Sequence, residues 1–366
     1  MRRATGTGCG SAILGALEAG SQGVRGGCVG DMRETWERQS ATLELTRAEV
    51  AALIAPAFPG RALRHHAIIS GGLSNTNIRL DIDGQAAPAL LRIYVRDPVQ
   101  AAKEWALLQR LAPAVPVPRL LYTAPAGGLL PYPYAITDWV QGERLEIVLE
   151  DKLEAPTLRQ MMRDIGKVLA HIHAIRFDAA GFFDNNLTVA VPISIGAAGL
   201  IDYLDEQLGG DTPGRDRLGA ALADRVLDFA AREGALLDSW REPPSLTHGD
   251  FGGSNILMCP VDDGVDDGWR VAAILDWEFA FSGSPFFDLG NLLRPPLGAR
   301  SEAADAVETG YREAGGELPT AWRQMTQLVE LISWAEFLSR PNLGPHLTAD
   351  ARVAMRRVMN DFAHQR

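Results

Sequence analysis

Thr247-His248-Gly249-Asp250-Phe251-Gly252-Gly253-Ser254-Asn255-Ile256-Leu257, followed by Ile274-Leu275-Asp276-Trp277-Glu278, is the stretch that decides the fold. It sets a carboxylate, an amide five positions on and a second carboxylate between apolar flanks that read as short strands. Phosphoryl transfer from a nucleotide needs such a set. One carboxylate orients the accepting hydroxyl and takes its proton late, while an Asn and another carboxylate hold Mg²⁺ against the phosphates. An Asp-Asn pair in a loop is often turn chemistry alone, but the two segments together are far more specific than either. Asp250 is therefore the candidate catalytic residue, and Asn255 and Asp276 are the candidate metal ligands.

The first segment nearly reproduces the kinase catalytic-loop pattern H-R-D-x-x-x-x-N, with Gly249 where the Arg stands. The kinase D-F-G is replaced by Asp276-Trp277-Glu278. These residues resemble the aminoglycoside phosphotransferase and choline kinase-like family, small-molecule kinases built on the protein-kinase fold. The resemblance runs from residue 64 to residue 340 and includes Val115-Pro116-Val117-Pro118. It implies an α+β, bilobal protein-kinase-like fold, with a small mostly-β N-terminal lobe and a larger mostly-helical C-terminal lobe. It also implies ATP or GTP as phosphoryl donor, Mg²⁺, and a small-molecule acceptor bearing a hydroxyl.

The rest of the chain reads in that order. A helix from Leu43 to Phe58 is opened by Thr46, with Glu49 completing a capping box. A strand from Arg64 to Ser70 precedes Gly71-Gly72-Leu73-Ser74-Asn75. Ile78, Leu80 and Ile82 then alternate with polar residues, and Asp83-Gly84 turns the chain into a strand from Ala89 to Val95. Asp97 and Pro98 open a helix that shows Ala101, Trp105, Leu108 and Ala112 on one face. Short strands follow at Leu120–Tyr122 and Tyr134–Val140. The boundary falls at Gln141-Gly142, giving an N-terminal lobe over 41–140 and a catalytic, acceptor-binding lobe over 141–366. Thr157 opens the next helix with Gln160 as its box partner. Beyond it everything reads as helical except two short strands flanking the Asn255 and Asp276 segments.

Gly71 and Gly72 let backbone N–H groups come close to phosphate oxygens, and Ser74 or Asn75 can add donors. No G-K-[ST] follows, so this is not a Walker A loop. Arg92 is a charge inside an apolar strand. By the resemblance it holds the place of the kinase lysine that contacts the α and β phosphates, and Glu104 is its matching anion. Thr137 to Val140 resembles the hinge, where Asp138 and Val140 offer main-chain groups to a purine. His248 reads as a loop brace. Asp288 reads as an anchor for that loop or a cap of the next helix, and His171 and His173 as packing residues.

Composition sets the outer limits. The net charge of −11 argues against nucleic acid as a partner, since such binding relies on clustered Lys and Arg. It is compatible with a cationic acceptor, as is the cluster of Asp202, Asp205, Glu206 and Asp211. No apolar run approaches the roughly 20 residues that cross a bilayer, so no membrane partner is expected. Cys9, Cys28 and Cys259 form neither metal-ligand spacing nor a disulfide framework, which fits a cytoplasmic protein. Residues 1–40 are Gly-rich and poor in large apolar side chains, so they read as a disordered extension with Met32 as an alternative start. Two other readings compete. One is a catalytically inactive nucleotide-binding protein of kinase-like fold, which has no chemical need for Asp250, Asn255 and Asp276 together. The other is a protein kinase, against which stand the missing Arg and the short segment after Glu278.

Overall fold

Alternating burial along Thr76–Ile82, with Thr76, Ile78, Leu80 and Ile82 inside, is what pins the first sheet together. The computed structural model describes residues 43–69, 75–95, 97–150, 153–261, 268–295, 297–341 and 343–364. The chain begins with α1 (Arg47–Ile54), where Thr46 and Glu49 form the reciprocal capping box expected from their spacing. Strands β1 (Leu63–Ile68), β2 (Thr76–Ile82) and β3 (Ala89–Ile93) follow. After α2 (Gln100–Leu111) come β4 (Leu120–Ala124) and β5 (Tyr134–Asp138). They make one antiparallel sheet in the order β1-β2-β3-β5-β4. One face packs Ile78, Leu80, Leu91, Ile93 and Ile136 against Val50, Leu53 and Ile54 of α1. Period-2 alternation therefore sends Arg92 to the opposite face.

The opening of α2 differs from expectation. The helix starts at Gln100, so Asp97 and Pro98 precede it and Val99 stands at the N-cap. The Asp97 carboxylate still accepts a hydrogen bond from the Val99 N–H, at 3.2 Å. It caps a turn ahead of the helix instead of the helix itself.

The helical part begins after β6 (Glu143–Arg144) and the single turn α3 (Leu145–Val148). Its long α4 (Ala155–His173) starts three residues earlier than a cap at Thr157 suggested. Glu154 is the N-cap, and Pro156 occupies the first turn, where its missing N–H costs nothing. The chain continues through β7 (Gly181–Phe183), β8 (Val189–Pro192), α5 (Gly196–Leu208), α6 (Pro213–Leu218), α7 (Ala220–Glu233) and β9 (Ser245–Thr247). Then come β10 (Ile256–Val261), β11 (Gly268–Ile274), β12 (Phe281–Gly283), α8 (Phe286–Leu292), α9 (Ser301–Glu313), α10 (Trp322–Ser339) and α11 (Pro345–His364). Helices α4 and α9 touch backbone to backbone. A side chain at Gly310 would put its Cβ 1.8 Å from the Arg163 carbonyl oxygen, so only glycine allows this approach.

The expectation of two strands in this half was too low. Besides the sheet β11-β10-β6, four short strands form a second sheet in the order β8-β7-β12-β9. This addition positions the site. The Asp250–Asn255 segment links β9 to β10, and the Asp276–Glu278 segment links β11 to β12. Each loop is held at one end by one small sheet and at the other end by the second. Among the described residues, no helix is long and apolar enough to cross a membrane.

Candidate active site

The His248–Asn255 loop is fixed by a set of hydrogen bonds from both of its ends. Asp288, fully buried at the start of α8, accepts from the backbone N–H of His248 (2.8 Å) and of Gly249 (3.0 Å). Its Oδ2 also lies 3.1 Å from Nε2 of the buried His173, whose Nδ1 is 3.0 Å from the Tyr311 hydroxyl. Asp288 is thus the loop anchor that its place in the sequence suggested. His248 is buried as well. The Asp250 N–H donates to its Nδ1 at 3.2 Å, which assigns the proton to Nε2, and Nε2 reaches the Leu275 carbonyl at 2.8 Å. The ring packs against Trp277, with centroids 4.5 Å apart. His248 therefore braces one site loop against the other.

Asn255 donates from Nδ2 to both the Asp250 carbonyl (2.8 Å) and Asp250 Oδ2 (2.9 Å). Both amide hydrogens are used, so Oδ1 is the end left to meet a cation. The Leu275 N–H donates to the Asn255 carbonyl at 2.9 Å, which draws the Asp276 turn alongside. Asp276 itself has left-handed backbone angles (φ 64°, ψ 67°), a conformation that costs an Asp of order 1 kcal/mol or more and that clusters at functional sites. A hard amide oxygen and a carboxylate on adjoining turns are a donor set suited to Mg²⁺.

From the opposite lobe, Arg92 reaches Asp276. Its Nη2 lies 2.8 Å from Asp276 Oδ1, 3.4 Å from Glu104 Oε2 and 4.0 Å from Glu278 Oε2. The expected partner Glu104 is present, but the shortest contact is to Asp276. Burial opposes the Arg92 charge, and Glu104 and Asp276, joined by Tyr94 and Glu278, outweigh it to hold the guanidinium firmly protonated. Glu104 is pushed above the usual carboxylate range by burial, against the pull of Arg92. Arg92 Nε and Glu104 Oε2 are both shut from solvent with no hydrogen-bond partner, and so is Oδ1 of Asn77, the register partner of Arg92 on β2.

Not every expected residue joins this group. Asn75 is buried at the start of β2. Asp138 closes β5 by giving its N–H to the Arg119 carbonyl (3.0 Å) and accepting the Arg119 N–H on Oδ1 (2.7 Å). Those groups are spent within the sheet. Val140 lies half-buried just beyond β5. Gly71, Gly72 and Ser74 lie outside the described residues, as does the 1–40 extension. Two residues that the sequence pattern did not single out do belong to the group. One is Glu278. The other is Lys103, 7% exposed on α2, with Nζ 2.6 Å from the Glu278 carbonyl. Its signal was a charge set inside the apolar stripe of a helix.

The family model described as the phosphotransferase enzyme family matches residues 65–328, most of the chain. The protein belongs to that family. It is accordingly a small-molecule phosphotransferase of kinase-like fold. No protein of curated function matches it. Its structure is similar to that of APH(2")-IIia with GDP and kanamycin, at 16% identity and a TM-score of 0.59 over 86% of this chain and 98% of that one. It is also similar to a thermostable mutant of aminoglycoside phosphotransferase APH(4)-Ia with AMP-PNP and hygromycin B, at 17% identity and a TM-score of 0.55 over 85% and 98%. A third similar structure is the streptomycin-ATP-APH(2")-IIa complex, at 13% identity and a TM-score of 0.53 over 88% and 97%. At such identities the likeness is one of fold, and it extends over nearly the whole of each relative.

Proposed function

We propose that this phosphotransferase moves the γ-phosphoryl group of ATP or GTP to a hydroxyl of a small acceptor, with Asp250 as the catalytic carboxylate. The observation that carries the reading is the Asn255 amide bridging to Asp250 at 2.9 Å while its backbone carbonyl takes the Leu275 N–H beside Asp276. Acceptor-facing and donor-facing groups are thereby held in one frame. Catalysis through a loose transition state is mostly positioning and electrostatics, so such a frame is what the protein has to supply.

Asp250 orients the acceptor hydroxyl and takes its proton as the new bond forms. Arg92, buried and permanently charged, meets the donor phosphates and exchanges part of its contact with Asp276 for them. Glu104 holds Arg92 from behind. Asn255 and Asp276 are the residues to hold Mg²⁺, which when bound neutralises charge on the phosphate oxygens. By their sequence Gly71, Gly72 and Ser74 are the residues assigned to the phosphates, and the main chain around Val140 is assigned to the purine. The solved relatives were captured with GDP, AMP-PNP or ATP, so both purines are candidate donors.

A cationic acceptor fits the acidic net charge. Asp202, Asp205, Glu206 and Asp211 lie on α5 or just after it, and favour cations near that face. Kanamycin, hygromycin B and streptomycin, the compounds held by the relatives, are the first acceptors to try. The test is a nucleotide-consumption screen of purified protein with Mg²⁺ against hydroxylated metabolites and these antibiotics, followed by mass analysis of the acceptor. The expected result is acceptor-dependent consumption with addition of one phosphate. Tight nucleotide binding without transfer to any acceptor would instead mark an inactive nucleotide-binding protein.

A further inference from the structure

Lys103 is a buried cation of the site region that the proposed chemistry leaves without work. It sits on α2 next to Glu104 and is 7% exposed. Its ammonium donates to the Glu278 carbonyl at 2.6 Å and lies 3.5 Å from the Ala280 carbonyl. Burial lowers its pKa to about 8, although Glu104, Glu278 and Asp97 all favour its charge. A lysine is almost never buried without a partner. If α2 needed only to fill space here, an unbranched apolar side chain would do so without the desolvation cost. What lysine adds is a pair of donor contacts to the main chain of a different lobe.

Those contacts fall on the short 3-10 turn Trp277–Phe279 and the residue after it. The turn begins directly after Asp276, whose left-handed backbone needs neighbours to hold it. Glu104, the next residue to Lys103, faces Arg92. One step of α2 thus carries two ties: Glu104 to Arg92 within the sheet lobe, and Lys103 across to the turn that carries Asp276. A slide of α2 loosens both together.

We infer that Lys103 is a positioning residue: it locks α2 to the Asp276 turn so that Arg92 and Asp276 meet the nucleotide phosphates as one preformed unit. The inference rests on the proposed donor site. It predicts that the energy of ordering these pieces is met during folding, not on binding, so that losing the tie appears in nucleotide affinity.

The experiment titrates Mg²⁺–ADP and Mg²⁺–AMP-PNP into wild type, Lys103→Met and Lys103→Arg, with melting temperatures measured beside them. Lys103→Met keeps the stem and removes the donors. It should weaken both nucleotides by about 10- to 100-fold, the scale seen when a supporting partner of a ligand group is lost. Lys103→Arg, which keeps donors, should recover part of that loss. Once an acceptor is known, kcat at saturating nucleotide should stay within a few-fold of wild type. Wild-type affinity in Lys103→Met, or a fall in melting temperature alone, overturns the positioning role. Wild type that binds neither nucleotide refutes the donor site itself, so the two failures are distinct. If Lys103→Met does not fold, hydrogen exchange on wild type decides. Nucleotide should protect amides of Gln100–Leu111 and of residues 276–280 together, and protection of one segment without the other overturns the inference.

Discussion

The two charged regions of the site are built on opposite plans. In the His248–Asn255 loop the polar groups are matched. Asp288 serves two backbone amides and His173, His248 serves Asp250 and Leu275, and Asn255 spends both amide hydrogens on Asp250. Around Arg92 the charges outnumber the good geometries. One guanidinium faces Glu104, Asp276 and Glu278 at 3.4, 2.8 and 4.0 Å, and buried Arg92 Nε and Glu104 Oε2 find no hydrogen bond. Buried polar atoms are nearly always satisfied, so unmatched ones call for an explanation. The loop is braced by its own bonds, with Asn255 Oδ1 kept for a cation, whereas the Arg92 region is arranged for a charged ligand that completes it.

The largest effect that can break this contrast lies at the two aspartates. Asp250→Asn should lower kcat by roughly 10²–10⁴-fold, about 3–5 kcal/mol of barrier, and leave Mg²⁺–nucleotide affinity nearly intact. Asp276→Asn should weaken that affinity as well as turnover. Nucleotide titration of both variants with Mg²⁺, beside steady-state rates, reads the difference. Loss of nucleotide binding in Asp250→Asn with retention in Asp276→Asn would swap the two roles. A smaller effect is expected at the anchor. Asp288→Ala strands two backbone N–H groups and the His173 contact. It should cost about 3 kcal/mol of stability in denaturant titration, and a cost near zero would mean that the loop does not depend on this brace. Smallest is the pair in the unfinished region. Arg92→Ala and Glu104→Ala should each raise the nucleotide KM, and the double variant should fall short of their sum by about 1–2 kcal/mol. Because Asp276 lies closer to Arg92 than Glu104 does, strict additivity would make Asp276 the true partner.

What the sequence made legible follows the same contrast. The matched loop has a dense, specific pattern, so the bracing roles of His248 and Asp288 were legible there, and Asp250 and Asn255 stand out as candidates by residue type and spacing. Capping at Thr46 was legible because both partners lie within one turn. The sheet β8-β7-β12-β9 was not, because its strands are three or four residues long and cannot show an alternation. The start of α2 was displaced because Asp97 and Pro98 mark a first turn only to within a few residues, and that of α4 because the Thr157–Gln160 spacing of a capping box also occurs inside a helix. Lys103 and Glu278 escaped because their meaning depends on contacts between residues far apart in the chain. Asp276 as the nearest partner of Arg92 was hidden for the same reason, with 184 positions between them.

Gly249 stands where kinases keep the arginine that receives a regulatory phosphate. Its φ of +82° belongs to the left-handed region, and a Cβ there would lie 2.6 Å from the Phe279 carbonyl oxygen. Substitution alone cannot install that arginine, since any side chain must first displace the turn that carries Asp276. At this position the protein kinases' phosphate-receiving arginine is therefore closed to the loop by steric exclusion, and the close approach of Gly249 to Phe279 is kept for holding the two site turns together.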